Sequence, residues 1–442
     1  MTDTGEPGPP ETSRSPETPR SPETPGRYRR RDGVTLQGRL VVSRRPLTVT
    51  RLNAAGARVV EALDAAAYRT PADVADGADL AADAVAELLD RLRERGFLEW
   101  APARDPTHTP PVSVVVTTRN AAEHLGDCLD ALAALQYPRY EVVVVDDGST
   151  DGTVDLARAH PLAERGRLRI LQVGAPDEPL GIGASRTRGA AAADHGVVAF
   201  TDADCRPRPD WLADLVPVLA SHDVVGGRVR PHGDGAVAAY EGVASSLDMG
   251  SRAARVDPDG STPYLPTANL LARRPVVEEI GFPDRSVAED VAFCWDALDR
   301  GFDVVYSPDG VVEHDYRDDL SAFAGRRRDY GASEALLAEV RPRGERVAVP
   351  LGPVLAAVLL LVVGAADWPL AGVAGVGVGL LAVGGAVAVG ARYRRLSPVV
   401  GLATMLRSRV RERLSEAYAV ATELTRYYSV PLALVVLVGG LA

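Results

Sequence analysis

The chain of 442 residues contains no lysine, and all 49 residues in its lysine-plus-arginine count are arginines. This absence excludes the P-loop phosphate lysine, the Schiff-base lysine and the lysine general base from any active site in the chain. Acidic residues outnumber the arginines, and the formal net charge is −11. That balance argues against a protein that binds nucleic acids mainly by neutralising phosphates.

Cysteine is scarce as well. The three cysteines are far apart in the sequence, and none belongs to a C-x-x-C pair: Cys128, Cys205 and Cys294. We expect neither a disulfide framework nor a structural zinc site, and a reducing compartment is the natural location for such a chain.

The first hundred residues divide into two parts of different composition. Residues 1–26 repeat S-P-E-T-P, and a segment so rich in Pro, Glu, Ser and Thr cannot bury enough apolar surface to fold. We therefore expect a disordered tail there. Within residues 27–101, the alternating run GRLVVSRRPLTVTRL (38–52) is typical of a hairpin, and three stretches of helical spacing follow it.

This order of a hairpin and three helices resembles the winged-helix fold. More closely, it resembles the PqqD-like domains that bind precursor peptides in ribosomal peptide modification pathways. The resemblance implies a small α+β peptide-recognition domain, in which the VVSRR hairpin is the sheet edge that takes up a peptide strand. The alternative is a small structural domain that only packs on its neighbour.

Residues 102–111 have the composition of a linker, and residues 112–340 carry the strongest strand signals in the chain. Four β-branched runs separated by helical stretches predict an α/β fold with a parallel sheet covered on both faces: VSVVVTT, EVVVVDD, RLRILQV and GVVAFTD. Ligands of such sheets bind outside the carboxyl ends of the strands. Four polar side chains fall at those ends: Thr117, Asp146, Asp147 and Asp202.

Residues 341–442 have the composition of membrane-associated helices. Two uncharged runs, 347–366 and 369–391, have 20 and 23 residues, and about 20 apolar residues cross a bilayer. Arginines flank the pair on both outer sides, so the positive-inside rule predicts a transmembrane hairpin, with the rest of the chain on the cytoplasmic face of the cell membrane. A hairpin in a soluble core is the alternative. Residues 402–425 read as an amphipathic helix lying at the membrane interface.

Asp202 and Asp204 stand one residue apart after the apolar run VVAF. An isolated D-x-D pair is a weak signal, because aspartates often cap or turn the end of a strand. Carboxylates at this edge of a sheet nevertheless suit a hard divalent cation such as Mg²⁺ or Mn²⁺, which prefers oxygen ligands and can neutralise a diphosphate. The pair therefore predicts a divalent-cation site.

Six motifs occur in the order found in family 2 glycosyltransferases, which the region 111–320 resembles. They are PVSVVVTTRN (111–120), VVVVDDGSTDGT (142–153), GASRTRGAAAA (183–193), FTDADCRPRPDWL (200–212), TANLLARR (267–274) and AEDVAFCWDALDRG (288–301). The resemblance implies the GT-A fold, a Rossmann-like arrangement. It also implies metal-dependent transfer of a sugar from a nucleotide diphosphate, with inversion at the anomeric carbon.

The resemblance also implies which side chains bind the nucleotide sugar. Thr117 and Arg119 correspond to the first-strand edge that borders the nucleotide. Asp146 or Asp147 corresponds to the carboxylate that binds the base, and Arg186 to the arginine that faces the uracil or the diphosphate.

Four further side chains acquire roles near the reacting groups. Asp202 corresponds to a residue beside the ribose or the metal, and Asp204 corresponds to the metal ligand. Asp290 matches the catalytic base, although a carboxylate that merely stabilises a helix N-terminus is the alternative. His314 follows a strand-like run and would approach the metal, as histidines do in some GT-A enzymes; a satisfied loop histidine is the alternative.

Two features indicate which type of family 2 glycosyltransferase the chain resembles. Residues 324–333 read AGRRRDYGAS and lack the Q-x-x-R-W motif of processive polysaccharide synthases. The combination of a PqqD-like domain, a family 2 core and a hydrophobic hairpin resembles the glycosyltransferases of mycofactocin biosynthesis. It implies transfer of glucose from UDP-glucose to a peptide-derived redox cofactor, as a short β-linked oligosaccharide. The alternatives are a membrane-associated transferase of cell-surface polysaccharide or glycolipid, and a peptide-binding scaffold with a decayed catalytic core.

Overall fold

The computed structural model describes residues 26–315, apart from 45–46, 234, 236–238, 241, 243–244 and 284–287, together with residues 390, 401–403, 405–407, 410–411 and 414. Two compact units are present, one containing Gly26–Ala101 and the other Pro102–Tyr316. The predicted disordered tail lies outside the described residues except for Gly26.

The first unit is an α+β arrangement. Its elements in chain order are β1 (Gly26–Arg30), β2 (Val34–Gln37), β3 (Leu40–Arg44), β4 (Leu47–Arg51), α1 (Ala54–Ala62), α2 (Pro71–Ala78), α3 (Ala82–Glu94) and β5 (Leu98–Pro102). Strands β2, β3 and β4 form an antiparallel sheet with β3 in the middle, and β1 pairs with β5. The predicted hairpin and the three predicted helices are therefore confirmed. Membership of the PqqD-like group stays a prediction.

The helices of this unit follow from local sequence. Thr70 and Asp73 form a reciprocal capping box at the start of α2, which satisfies main-chain N–H groups that the first turn leaves without partners. On α3 the spacing of Val85, Leu89 and Leu92 places these side chains on one buried face. Helix α3 therefore packs inward along the stripe that the sequence predicts.

The second unit is built on one sheet of nine strands within its described residues. The strands are β6 (Val112–Thr118), β7 (Tyr140–Asp147), β8 (Leu168–Gly174), β9 (Val197–Asp202), β10 (Cys205–Pro207), β11 (Val224–His232), β12 (Ala254–Arg255), β13 (Leu270–Arg273) and β14 (Val304–Asp315). Their order in the sheet is β10-β14-β11-β13-β9-β6-β7-β8, and β12 pairs with β14.

The four strands predicted from β-branched runs are β6, β7, β8 and β9, and they are mutually parallel as expected. Strand β6 lies between β9 and β7, and all seven of its residues are buried. Its residues do not alternate between apolar and charged side chains, because both faces of the strand are covered. The prediction of an α/β fold is confirmed.

Beyond these four strands the sheet contains antiparallel pairs, which the sequence did not predict. Strand β13 runs antiparallel to both β9 and β11, and β10 runs antiparallel to β14. These strands are short, with four residues in β13 and three in β10, so they carry too few residues for a periodic signal. The result is a mixed sheet in which the antiparallel pairs begin next to β9, whereas β11 and β14 run parallel to each other.

Seven helices accompany the sheet in the described part of this unit: α4 (Leu125–Ala133), α5 (Thr153–Ala159), α6 (Pro161–Glu164), α7 (Ile182–Ala191), α8 (Trp211–Leu215), α9 (Arg274–Ile280) and α10 (Glu289–Asp299). Helix α7 packs directly on β6 and β7. A Cβ atom at Gly189 would lie 2.5 Å from Val115 and 2.8 Å from Val145, so this close approach requires glycine.

Asn269, from the TANLLARR motif, joins helix α8 to strands β11 and β14. Its Oδ1 accepts a hydrogen bond from Trp211 Nε1 (2.8 Å). Its Nδ2 donates to the main-chain oxygens of Arg228 (3.0 Å) and Gly310 (3.1 Å). The side chain is completely buried, and these three bonds satisfy polar groups that would otherwise be unpaired in the core. We therefore assign Asn269 a structural role.

The predicted membrane-spanning runs 347–366 and 369–391 lie outside the described residues except for residue 390. Most of the predicted interfacial helix 402–425 lies outside them too. Within the part of the chain that the structure describes, no helix is both long enough and apolar enough to cross a bilayer.

Candidate active site

Polar side chains from neighbouring parallel strands meet at the carboxyl edge of the sheet. Thr117, near the end of β6, is paired in register with Asp202, the last residue of β9. Asp146 lies at the same end of β7. Arg119 stands just beyond β6 and is exposed, and its Nη2 donates to the main-chain oxygen of Pro176 (3.2 Å). The fold thus brings these predicted residues to one edge, where α/β sheets bind ligands.

Asp146 and Asp147 are both buried and hold main-chain groups. Asp147 Oδ1 accepts from Leu180 N (2.6 Å), and its Oδ2 accepts from Gly181 N (2.9 Å), so this carboxylate fixes the turn that leads into α7. Asp146 accepts longer bonds from Ser149 N, at 3.4 and 3.3 Å. Recognition of a nucleotide base by either carboxylate stays a prediction.

Arg186 is the centre of a buried group of three charges. It projects from α7 and is only 2 % exposed. Its Nη2 donates to Asp202 Oδ1 (2.7 Å), and its Nη1 donates to Glu289 Oε1 at the start of α10. Asp202 and Glu289 are 26 % and 10 % exposed. Arg186 therefore holds the Asp202 carboxylate in a fixed orientation, a role that the sequence did not indicate. Contact of Arg186 with a uracil or a diphosphate stays a prediction.

Asp290 occupies the first turn of α10, next to this charged group. The residue that precedes the helix, Ala288, has φ 61°, a left-handed conformation that alanine rarely adopts. Asp290 Oδ1 accepts a hydrogen bond from Val291 N (2.8 Å). Strained backbone of this kind is typical of functional sites, where the surrounding structure holds it in place.

Burial, together with the negative charges of Glu289 and Asp202, raises the pKa of Asp290 to about 7, although Arg186 and the Val291 N–H act in the opposite direction. A carboxylate with a pKa near the working pH is suited to general acid–base catalysis, because it can hold and release a proton there. Glu289 is the neighbouring residue that sequence reasoning missed. The sequence feature that could have indicated Glu289 is the adjacent pair of carboxylates in AEDV (288–291).

Asp204 and His314 lie together, as the predicted cation site requires. Strand β10 pairs with β14 so that Cys205 stands opposite His314, and Asp204 Oδ1 is 3.6 Å from His314 Nε2. Two ligands of one ion, with bonds of about 2.0–2.2 Å, lie roughly 3–4 Å apart, so this pair fits a single divalent cation. The arrangement could place positive charge next to the edge that Asp202 occupies.

Cys205 completes the cluster and is a second residue that sequence reasoning missed. Its Sγ lies 3.8 Å from Asp204 Oδ1, and the ligating atoms of Asp204, Cys205 and His314 are all within 4.8 Å of one another. Burial raises the pKa of the Cys205 thiol, and the negative charge of Asp204 raises it further. The only sequence signal was the D-C step in FTDADCRP.

Arg206 stabilises the arrangement of Asp204, Cys205 and His314 through its contacts with neighbouring elements. Its guanidinium donates to Asp315 on β14 and to Asp127 on α4. The main-chain N–H of Asp315 donates in turn to the main-chain oxygen of Asp204 (2.9 Å). These contacts tie three separate elements around the cation-binding residues, and so they limit movement of Asp204 relative to His314.

Comparisons with known proteins identify the family to which the chain is similar. Residues 113–281 match the family described as Glycosyl transferase family 2. The "Pre-mycofactocin glycosyltransferase" of Mycobacterium tuberculosis is 32% identical over 287 residues, which are 63% of this chain and 58% of that protein. The "Glycosyltransferase AglE" of Haloferax volcanii is 33% identical over 217 residues, which are 47% of this chain and 68% of that protein.

The chain thus spans less than two thirds of the mycobacterial relative. Among solved structures, the mannosyltransferase PcManGT from Pyrobaculum calidifontis in complex with GDP-Man and Mn²⁺ is 25% identical, with 70% of this chain and 88% of that chain covered. Its TM-score is 0.44, which is too low for any inference about this chain.

Proposed function

We propose that this chain, which belongs to glycosyl transferase family 2, transfers a hexose from a nucleotide diphosphate to a peptide-derived cofactor precursor of the mycofactocin type. The observation that carries the proposal is the pairing of two groups in one unit. Asp290 is a carboxylate whose pKa is raised to about 7, and Asp204 with His314 can hold a divalent cation at the ligand-binding edge of the sheet.

Asp290 is the proposed base of an inverting displacement. In such a reaction the acceptor hydroxyl attacks the anomeric carbon from the face opposite the diphosphate. Its proton must pass to a group within hydrogen-bond reach. Asp290 holds one carboxylate oxygen on the Val291 N–H, which leaves the second oxygen to take that proton. The anomeric carbon inverts because the diphosphate leaves from the opposite side.

The donor side of the reaction uses the edge formed by β6, β7 and β9. Asp204 and His314 would hold Mg²⁺ or Mn²⁺, which supplies positive charge to the leaving diphosphate. Thr117 and Asp202 lie together at this edge, and Arg186 keeps the Asp202 carboxylate oriented. Fixed groups of this kind, which stabilise developing charge, usually make the greatest single contribution to the rate enhancement of an enzyme.

The identity of donor and acceptor rests on similarity. The name of the mycobacterial relative indicates that it acts on pre-mycofactocin, and the proposal extends that acceptor to this chain. UDP-glucose is the proposed donor, and a short β-linked oligosaccharide is the proposed product. Among the described residues, the outer strands β2 and β4 of the first unit pair only with β3, so an extended peptide acceptor could add to one of them as a further strand.

Mass spectrometry tests the whole proposal. The full chain is incubated with the aglycone pre-mycofactocin, UDP-glucose and Mg²⁺ or Mn²⁺, beside the Asp290→Asn variant. We expect a series of hexose additions with the native chain and none with the variant. Transfer to lipid or glycan extracts, without any addition to this acceptor, would retain the family chemistry and point to cell-surface glycan synthesis instead.

The cation site predicts metal-dependent donor binding. Calorimetric titration of UDP should show binding with Mn²⁺ that weakens at least tenfold without the metal, because the diphosphate charge is then uncompensated. The Asp204→Ala variant should bind UDP weakly whether or not Mn²⁺ is present. The matched control is Asp155→Ala, which removes a carboxylate that is 85% exposed and pairs only with Arg158 among the contacts of the described residues. Equal UDP affinity with and without metal would contradict the site.

We expect the first unit to contribute to binding of the acceptor and not to binding of the donor. Deleting residues 1–100 should raise the KM for the peptide-derived acceptor several-fold, because the sheet edges of that unit are removed. Slow hydrolysis of UDP-glucose by water should continue, since the donor site belongs to the other unit. If the truncated protein retains hydrolysis and its KM for the acceptor is unchanged, the first unit does not bind the peptide.

A further inference from the structure

The cation cluster contains one ligating atom of each kind that proteins commonly offer. Asp204 supplies a carboxylate oxygen, His314 an imidazole nitrogen and Cys205 a thiol sulfur, and these atoms lie within 4.8 Å of one another. Mg²⁺ takes oxygen ligands almost exclusively and has little use for a thiolate. Sites that mix sulfur, nitrogen and oxygen suit Zn²⁺ and Co²⁺, the borderline divalent cations.

We propose that Cys205 is a third protein ligand of this cation site, which binds Zn²⁺ and Co²⁺ through sulfur and strengthens the preference of the site for these cations over Mn²⁺. The inference rests on the proposed function only in taking Asp204 and His314 as the cation ligands. It goes beyond that function, because it assigns to the chain a third cation ligand and a stronger preference for Zn²⁺ and Co²⁺ over Mn²⁺ than carboxylate and imidazole alone would give.

The distances support three-point coordination. Asp204 Oδ1 lies 3.6 Å from His314 Nε2 and 3.8 Å from Cys205 Sγ. Around one tetrahedral zinc ion, bonds of about 2.0–2.3 Å separate neighbouring ligands by roughly 3.3–3.7 Å, so the three atoms need to move by only a few tenths of an ångström at these two contacts. Three protein ligands leave the fourth position open, which is the arrangement found in catalytic zinc sites.

The fold holds the three ligands in this arrangement. Cys205 and His314 are directly opposite each other on the antiparallel strands β10 and β14. The N–H of Asp315 donates to the main-chain oxygen of Asp204, and Arg206 clamps Asp315. The ligands therefore come from a strand pair and its adjoining turn, and little conformational entropy is lost when a cation binds.

The proton balance of binding is simple. The Cys205 thiol points its S–H toward Asp204 Oδ1, so that a proton stands between the two ligating atoms. When the cation binds, a bond forms between sulfur and metal, the S–H bond breaks, and the proton leaves to the buffer. A cation thus replaces the proton that the two side chains share, and a thiolate becomes its ligand.

Cobalt spectroscopy on the full chain tests the proposal without donor, acceptor or catalysis. Titration of the reduced protein with Co²⁺ should produce the near-ultraviolet absorption of sulfur-to-cobalt charge transfer, in proportion to one site. The band should be absent in Cys205→Ser. It should persist in Cys128→Ser and Cys294→Ser, which remove the other two thiols of the chain. Failure of sugar transfer does not affect this readout, so the two proposals are tested separately.

Affinity measurements supply the second readout. Zn²⁺ affinity, measured with a competing chelator, should fall at least tenfold in Cys205→Ser, while Mn²⁺ affinity should change less than threefold. His314→Ala should also weaken Co²⁺ binding at least tenfold. If Cys205→Ser fails to fold, a charge-transfer band that is retained in both Cys128→Ser and Cys294→Ser still assigns the sulfur ligand to Cys205. A native chain that binds Co²⁺ without the charge-transfer band overturns the proposal. A band that survives Cys205→Ser, or is lost in one of the other cysteine variants, overturns it equally.

Discussion

The Asp290→Asn variant should lose hexose transfer by about 10²–10⁴-fold in kcat, the range by which a positioned general base accelerates proton transfer. The amide is nearly the same size as the carboxylate, and its oxygen can still accept the Val291 N–H, so the start of α10 should keep its geometry. Donor binding should be unchanged, because the proposed cation site is formed by Asp204 and His314 instead. Steady-state kinetics beside UDP titration checks both statements.

The pH dependence of the native enzyme gives an independent check on the same residue. Burial raises the pKa of Asp290 to about 7, and only its ionised form accepts a proton. Activity should therefore rise with pH and level off above about 7. Replacing Glu289 by Gln removes a neighbouring negative charge that raises this pKa, so the midpoint of the profile should move to lower pH. A profile that is flat from pH 5 to 9 would contradict the assignment of the base.

The contribution of Asp290 to the stability of the native chain should fall as the pH rises, in the range where activity increases. A carboxyl group whose pKa is higher in the folded than in the unfolded chain favours folding below its unfolded pKa of about 3.9. That contribution is lost as the pH rises through about 7. Asp290→Asn removes this loss, so the variant should be at least as stable as the native chain at pH 8. A strongly destabilised variant would mean that the low activity reflects unfolding.

The Arg186→Met variant should be the most destabilising single substitution near the site. It leaves the carboxylates of Asp202 and Glu289 without the guanidinium between them, and breaking a buried ion pair in this way costs about 3–5 kcal/mol. Denaturant unfolding followed by tryptophan fluorescence measures the loss. Arg119→Met is the matched control, since Arg119 is exposed and should contribute less than about 1 kcal/mol.

A second substitution separates the two roles that sequence and structure suggest for Arg186. If its function is to hold the two carboxylates, adding Glu289→Gln to Arg186→Met should recover part of the lost stability, because one unpaired buried charge is removed. If Arg186 instead faces the diphosphate, the Arg186→Met variant should keep the native stability and lose UDP affinity. The double variant should not restore that affinity.

The sequence could not reveal the environment of Arg186, because its partner Glu289 lies 103 residues away. The motifs placed Arg186 on a helix after a strand and Glu289 at a helix start, and each placement agrees with the structure. Neither motif indicates that α7 and α10 approach each other. Local spacing describes a single element, whereas an ion pair between two elements depends on how they pack.

The sequence by itself determined the parallel half of the sheet and the residues at its carboxyl edge. β-branched runs separated by helical stretches favour buried parallel strands, and the last residues of such strands, such as Thr117 and Asp202, then share one edge. The tertiary structure alone decided the mixed half of the sheet, where the short β10 pairs with β14 and sets Cys205 opposite His314. Strands of three or four residues carry no periodic signal, and their partners are chosen by the packing of the whole sheet. For that reason the third candidate ligand of the cation site emerged from the fold and not from the motif.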